Sequence, residues 1–170
     1  MTEGKRGCGE CSACCQGWLE DENLDMYPGK PCAHHCDTGC SIYPDRPETP
    51  CRTFRCAWLD NDVDYPENFR PDLSGVILME DRPWQEWLVL QAMPVGPSVP
   101  AESLAFLQSL AEKRGRPLIW QEWVMNEEGR VEESKQGTWG PPAFTERRKN
   151  QGGNRNLAGF TDEDVITFDR

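Results

Sequence analysis

The sequence predicts an α+β protein in which a small, irregular, metal-nucleated cysteine module is followed by a small β-β-α-β-β layer. Two observations predict it. All nine cysteines fall between Cys8 and Cys56, and none follows in the remainder of the 170-residue chain. Beyond residue 72 the apolar residues fall instead into strand-like runs and one helical stripe. The organisation read from these is a cysteine module over 1–60, a connector over 61–72, an α+β region over 73–137 and a polar, partly flexible tail over 138–170.

The module comes first. Its cysteines form three groups: Cys8, Cys11, Cys14 and Cys15; Cys32, Cys36 and Cys40; Cys51 and Cys56. A C-x-x-C turn brings two sulfurs onto one ion while leaving backbone N–H groups free to bond to them. Disulfides are the competing reading of so many cysteines, but nine is odd, and Met1 to Arg6 lead into Cys8 with no apolar segment. A reducing cytoplasm is therefore the expected compartment. Side chains of adjacent residues diverge, by about 100° on a helix, so Cys14 and Cys15 are poor partners on one ion and more than one metal atom per chain is expected. Eight thiolates make two four-cysteine zinc sites, and nine hold three zincs through bridging sulfurs. Iron, or a [4Fe-4S] cluster, is the alternative, although the opening Cys8-x-x-Cys11-x-x-Cys14 departs from the bacterial ferredoxin run at its fourth ligand.

The segment from Asp60 to Asn68, acidic and carrying Pro66, reads as the connector. Asp62 and Asp64 lack the glycine and terminal Glu of a calcium loop. Gly75 to Met79 and Trp87 to Met93 read as two strands joined by a turn at Asp81-Arg82-Pro83. Pro100-Ala101-Glu102 opens a helix with a stripe of Leu104, Phe106, Leu107, Leu110 and Ala111, and Gly115 stops it. Pro117 to Met125 is apolar on both faces, which predicts a central strand. Asn126 to Gly129 turns the chain into a polar fourth strand near Arg130 to Lys135, and Gly140-Pro141-Pro142 ends the pattern. Trp84, Trp87, Trp120 and Trp123 read as core before ligand site.

Charge narrows the function classes. The formal net charge is −11, with six Lys/Arg against ten Asp/Glu over residues 1–60 and twelve against nineteen over 61–170. Nucleic acid and anionic membrane are thereby poor partners, and the cysteines do not read as a nucleic-acid-binding finger. Walker, dinucleotide, nucleophile-elbow and HExxH motifs are all missing from the sequence.

The cysteines and their companions carry a resemblance. Cys8 to Cys15, Lys30-Pro31-Cys32-Ala33-His34, Gly39 to Pro47 and Cys51 to Cys56 resemble the bacterial cysteine-cluster family named for its CxxCxxCC motif, over about residues 8–58. The resemblance implies a zinc- or iron-chelating domain whose eight pattern cysteines are Cys8, Cys11, Cys14, Cys15, Cys32, Cys40, Cys51 and Cys56. Cys36 falls outside that pattern and is the doubtful ligand. Enzymes that methylate flagellin lysines carry similar clusters, so the resemblance leaves a catalytic reading open.

Around the thiolates, Arg46, Arg52 and Arg55 are placed to offset negative charge, and Tyr43, Phe54, Trp18 and Trp58 to form an apolar lid. His34 and His35, the only histidines, read as supporting groups ahead of ligands. Three function classes follow: a chelator of zinc or iron, an iron–sulfur enzyme of redox or methyl-transfer type, and a metal-organised adaptor for a protein partner. The cysteines do not separate them, and whether there is catalysis stays open.

Overall fold

The computed structural model describes residues 6–61 and 64–150, and the backbone of 155–158. Short turns dominate up to residue 60. A 3-10 turn spans Ala13–Cys15, and β1 (His35–Cys36) pairs with β2 (Gly39–Cys40) in a two-residue antiparallel ribbon. One turn over Glu48–Arg52, with a cis Thr49–Pro50 peptide, leads to the short helix α1 (Ala57–Asp60). Helix α2 (Pro71–Ser74) begins at a proline, where no donor is lost, and ends at Gly75 in the left-handed region.

A five-stranded mixed sheet follows, its strands side by side in chain order. Strands β3 (Val76–Trp84) and β4 (Trp87–Pro94) are antiparallel, and helix α3 (Ala101–Arg114) crosses over to put β5 (Leu118–Met125) parallel to β4. Strand β6 (Val131–Gly140) returns antiparallel to β5, and helix α4 (Pro142–Asn150) leads to β7 (Arg155–Ala158), parallel to β6. The expected β-β-α-β-β order is present, and β5 lies at the centre of the sheet. Pro100 caps α3 and Gly115 stops it at φ 58.

Three expectations are corrected. The Asp81-Arg82-Pro83 turn is instead a bulge inside β3, where Met79 pairs with Gln91 and Arg82 with Val89, so Glu80 and Asp81 oppose Leu90 alone. The chain reverses later, at Gln85-Glu86, with Gln85 at φ 52 and Trp84 stacked on Trp87 at 5.6 Å between ring centroids. Ordered structure also crosses residue 138, where the sequence places the tail. Phe144 of α4 is fully buried edge-on against Trp84 and Trp87. The rest of the expected tail, 151–154 and 159–170, lies outside the described residues, as does Asp62.

The connector is the third correction. Tyr65 is fully buried and stacks on Phe69, which in turn meets Phe106 of α3. The Tyr65 hydroxyl donates to Glu80 at 2.6 Å, and Arg114 pairs with Asp64 at 2.6 Å and with Glu80. Arg6 donates to the carbonyls of Trp58 at 3.1 Å and Tyr65 at 2.8 Å. A single core therefore runs from Ala13, Cys56 and Trp58 through Tyr65 and Phe69 to Ile77, Leu107 and Trp120. No helix among the described residues is long and apolar enough to cross a membrane.

Candidate metal centre

All nine cysteines are free thiols. Local backbone geometry brings them together. Cys11 N–H donates to the Cys8 carbonyl at 2.9 Å and Cys15 N–H to the Ser12 carbonyl at 2.8 Å, which folds the CxxCxxCC run into consecutive turns. Cys32 N–H then reaches the Cys15 carbonyl at 3.0 Å and joins the second cysteine group to the first. Gly17 permits that approach. At φ +83, a Cβ on it would sit 2.4 Å from the Lys30 carbonyl, so any side chain would push the two segments apart.

The thiols face two adjoining cavities. The larger, of about 340 Å³, is lined by Cys8, Cys11, Cys14, Cys15, Cys32, Cys40 and Cys51. The smaller, of about 40 Å³, shares Cys8, Cys11, Cys14 and Cys51 and adds Cys56, with Trp58 and Ile77 on the core side. Cys36 lines neither, and its sulfur lies 3.5 Å from the Thr38 hydroxyl on an exposed edge. The eight cysteines of the motif are thus gathered, and the ninth lies behind the wall, against Thr38 of the larger cavity's lining.

Electrostatics distinguishes five of the eight. The Cys14 thiol donates to the sulfur of Cys15, which raises Cys14 far above the ordinary thiol range; burial and charge on Cys15, Cys8 and Cys11 push the same way. The same bond lowers Cys15 to about 7, with help from the Arg46 guanidinium. Burial raises Cys11 to about 11, and its thiol also hydrogen-bonds the Asp72 carboxylate. Burial raises Cys56, with charge on Cys8 adding to it. Burial likewise raises Cys51, there with charge on Cys15, Cys32 and Cys40. Charge on Cys15, Cys8 and Cys11 thus acts on Cys14, charge on Cys8 acts on Cys56, and charge on Cys15, Cys32 and Cys40 acts on Cys51, with the Cys14–Cys15 bond joining the two groups.

Among the described residues, no three His, Cys, Asp or Glu side chains converge closely enough to hold an ion as they stand. The donor chemistry nevertheless fits a thiophilic ion: eight sulfurs around two connected openings, with no competing amine among the lining groups. Closing a coordination shell requires the thiols to turn inward from the cavity walls.

The companions divide. Arg46 lines the larger cavity, its guanidinium 3.8 Å from the Tyr43 ring centroid, and its Nε is sealed from solvent with no hydrogen-bond partner. Arg52 instead braces the backbone, donating to the carbonyls of Arg46 at 3.1 Å and Pro44 at 2.8 Å. Arg55 pairs with Asp60 and donates to the Leu59 carbonyl at 3.1 Å. Tyr43 and Phe54 line the larger cavity and Trp58 the smaller, while Trp18 lines neither. His34 and His35 also stay off both walls; His35 Nε2 lies 3.3 Å from the Ser12 hydroxyl, a supporting contact to the first cysteine group.

Sequence reasoning did not find Leu19, Leu24, Met26 and Met79 in the cavity wall, nor Asp72 beside Cys11. The signal for the first three was present as apolar residues in an otherwise acidic loop between two cysteine groups. Met79 and Asp72 arrive from the sheet side and carried none.

Comparison with protein-family models, with curated proteins and with solved structures found no match. The resemblance of residues 8–58 to the CxxCxxCC family thus rests on the motif residues alone.

Proposed function

We propose that this chain is a metal-binding protein that chelates zinc or iron through eight cysteine thiolates, with two ions per chain. One observation carries the reading: the eight motif cysteines face two adjoining cavities, while Cys36 lies outside both. The ligand sets we assign group cysteines whose charges act on one another, apart from the Cys14–Cys15 contact. Cys8, Cys11, Cys14 and Cys56 hold one ion beside the smaller cavity, and Cys15, Cys32, Cys40 and Cys51 hold the other.

This division places the hydrogen-bonded vicinal pair, Cys14 and Cys15, on separate ions. It also gives each ion four thiolates, the closed tetrahedral set of a zinc site. Two such sites carry roughly four excess negative charges, and the unpartnered Arg46 Nε–H is a donor suited to bound sulfur. Anaerobic purification followed by metal analysis and an absorbance scan tests the reading. Zinc thiolate is colourless where iron–sulfur charge transfer absorbs, near roughly 400 nm. A fully reduced preparation with no bound zinc or iron would refute chelation.

A further inference from the structure

The larger cavity exceeds what its thiols need. Thiolates close directly around zinc at about 2.3 Å, so the ions and their sulfurs take up only part of such a space. Here the sulfurs share the lining of about 340 Å³ with the apolar Leu19, Leu24, Met26, Phe54 and Met79 and with the carboxylates of Glu20 and Asp21. That volume falls within the roughly 300–1,000 Å³ of small-molecule pockets, which pair apolar walls with a few oriented polar groups. Met79 projects from β3, so one wall is fixed to the sheet, while Leu24 and Met26 sit on a loop closed by the Asp21–Met26 bridge and a 3.0 Å bond from Leu24 N–H to Asp21 Oδ1. Arg46 supplies the cationic group of the lining.

We infer that this cavity binds a small organic molecule beside the metal ions, one with an apolar body and an oxygen acceptor that meets the Arg46 guanidinium. The inference rests on the chelation reading for its thiolate wall. Its occupant lies between the cysteines and the Leu24–Met26 loop and makes the centre an open one.

The probe is 8-anilinonaphthalene-1-sulfonate, whose rings and sulfonate oxygens carry both features. It is titrated into full-length protein labelled with 13C at the methionine methyls, with metal content measured on the same sample. The expected result is one equivalent bound, with ring-current shifts at Met26 and Met79 and none at Met93 and Met125. Arg46→Gln should weaken binding on the order of tenfold, the effect of one lost charge-assisted hydrogen bond. Leu24→Trp, which fills the cavity, should abolish it.

Loaded protein that binds no probe overturns the proposal, because the metals then fill the space themselves. Equal shifts at all four methyls overturn it as well. Since the methyl shifts are read on unmutated protein, a Leu24→Trp variant that fails to fold does not obscure them. Fully reduced protein that, as purified, carries no zinc or iron yet shows the Met26 and Met79 shifts overturns chelation and keeps the pocket, and a loaded sample without them does the reverse.

Discussion

The thiol of Cys14 donates a hydrogen bond to the sulfur of Cys15, so two adjacent cysteines with the same chemistry are driven apart in acidity. Cys14 is held protonated, while Cys15 falls to about 7. Thiolates are the reactive form. In reduced, metal-free protein near neutral pH, iodoacetamide should label Cys15 well before Cys14. Peptide mapping by mass spectrometry reads the order, and equal labelling of the pair would show that the bond does not form in solution.

The two proposed ligand sets make a prediction about pairs of substitutions. Cys11→Ser and Cys56→Ser should each cost one ion, and the double variant should still cost only one, because both serve the same site. Cys11→Ser combined with Cys40→Ser should cost both. Cys36→Ser should retain both. Metal-to-protein ratios decide this, and loss of both ions from the Cys11/Cys56 double variant would break the division.

Acid should release the ions in sequence. Each thiol must give up its proton to bind metal, so affinity falls as pH falls, and thiols with raised pKa lose the competition first. Cys11, raised to about 11, shares its set with Cys14 and Cys56, both also raised. The other set contains raised Cys51 but also lowered Cys15. The first ion to leave on acidification should therefore be that of Cys8, Cys11, Cys14 and Cys56. A chromophoric chelator should record two release steps in wild type, and only the lower-pH step in Cys56→Ser.

Much of the layer was legible in the sequence because its signals are local. Pro100 and Gly115 bracket α3, and the two-faced apolar pattern from Leu118 to Met125 marks a central strand. The gathering of the eight cysteines was legible for the same reason, since C-x-x-C turns are set by near neighbours. What escaped depended on distant partners. Tyr65 sits in an acidic, proline-bearing stretch that looks like a linker, and only Glu80, Arg114 and Phe69 make it core. Phe144, in an otherwise polar run, is buried only because Trp84 and Trp87 lie opposite. Asp81-Arg82-Pro83 has turn composition, but the bulge absorbs it without reversing the chain.

The shared core alters where metal removal should act. Up to Arg55 the chain is built mainly of turns, with Ala13 as its buried anchor, whereas Ala57, Trp58 and Leu59 pack with Ile77 and Leu78. Chelation should expose amides between Cys8 and Cys51 to hydrogen exchange while protection from Ala57 onward persists. Trp58→Ala should cost on the order of 3–5 kcal/mol in thermal or denaturant unfolding, since it opens a cavity in that common core. Uniform loss of protection along the whole chain on chelation would contradict the distinction.

The central claim, two ions on eight thiolates with Cys36 left out, meets its most direct test in native mass spectrometry of the reduced, loaded protein after brief alkylation. The account predicts a mass increment of two metal ions and a single alkyl group, mapped to Cys36. One or three ions per chain, or protection of all nine thiols, would contradict it.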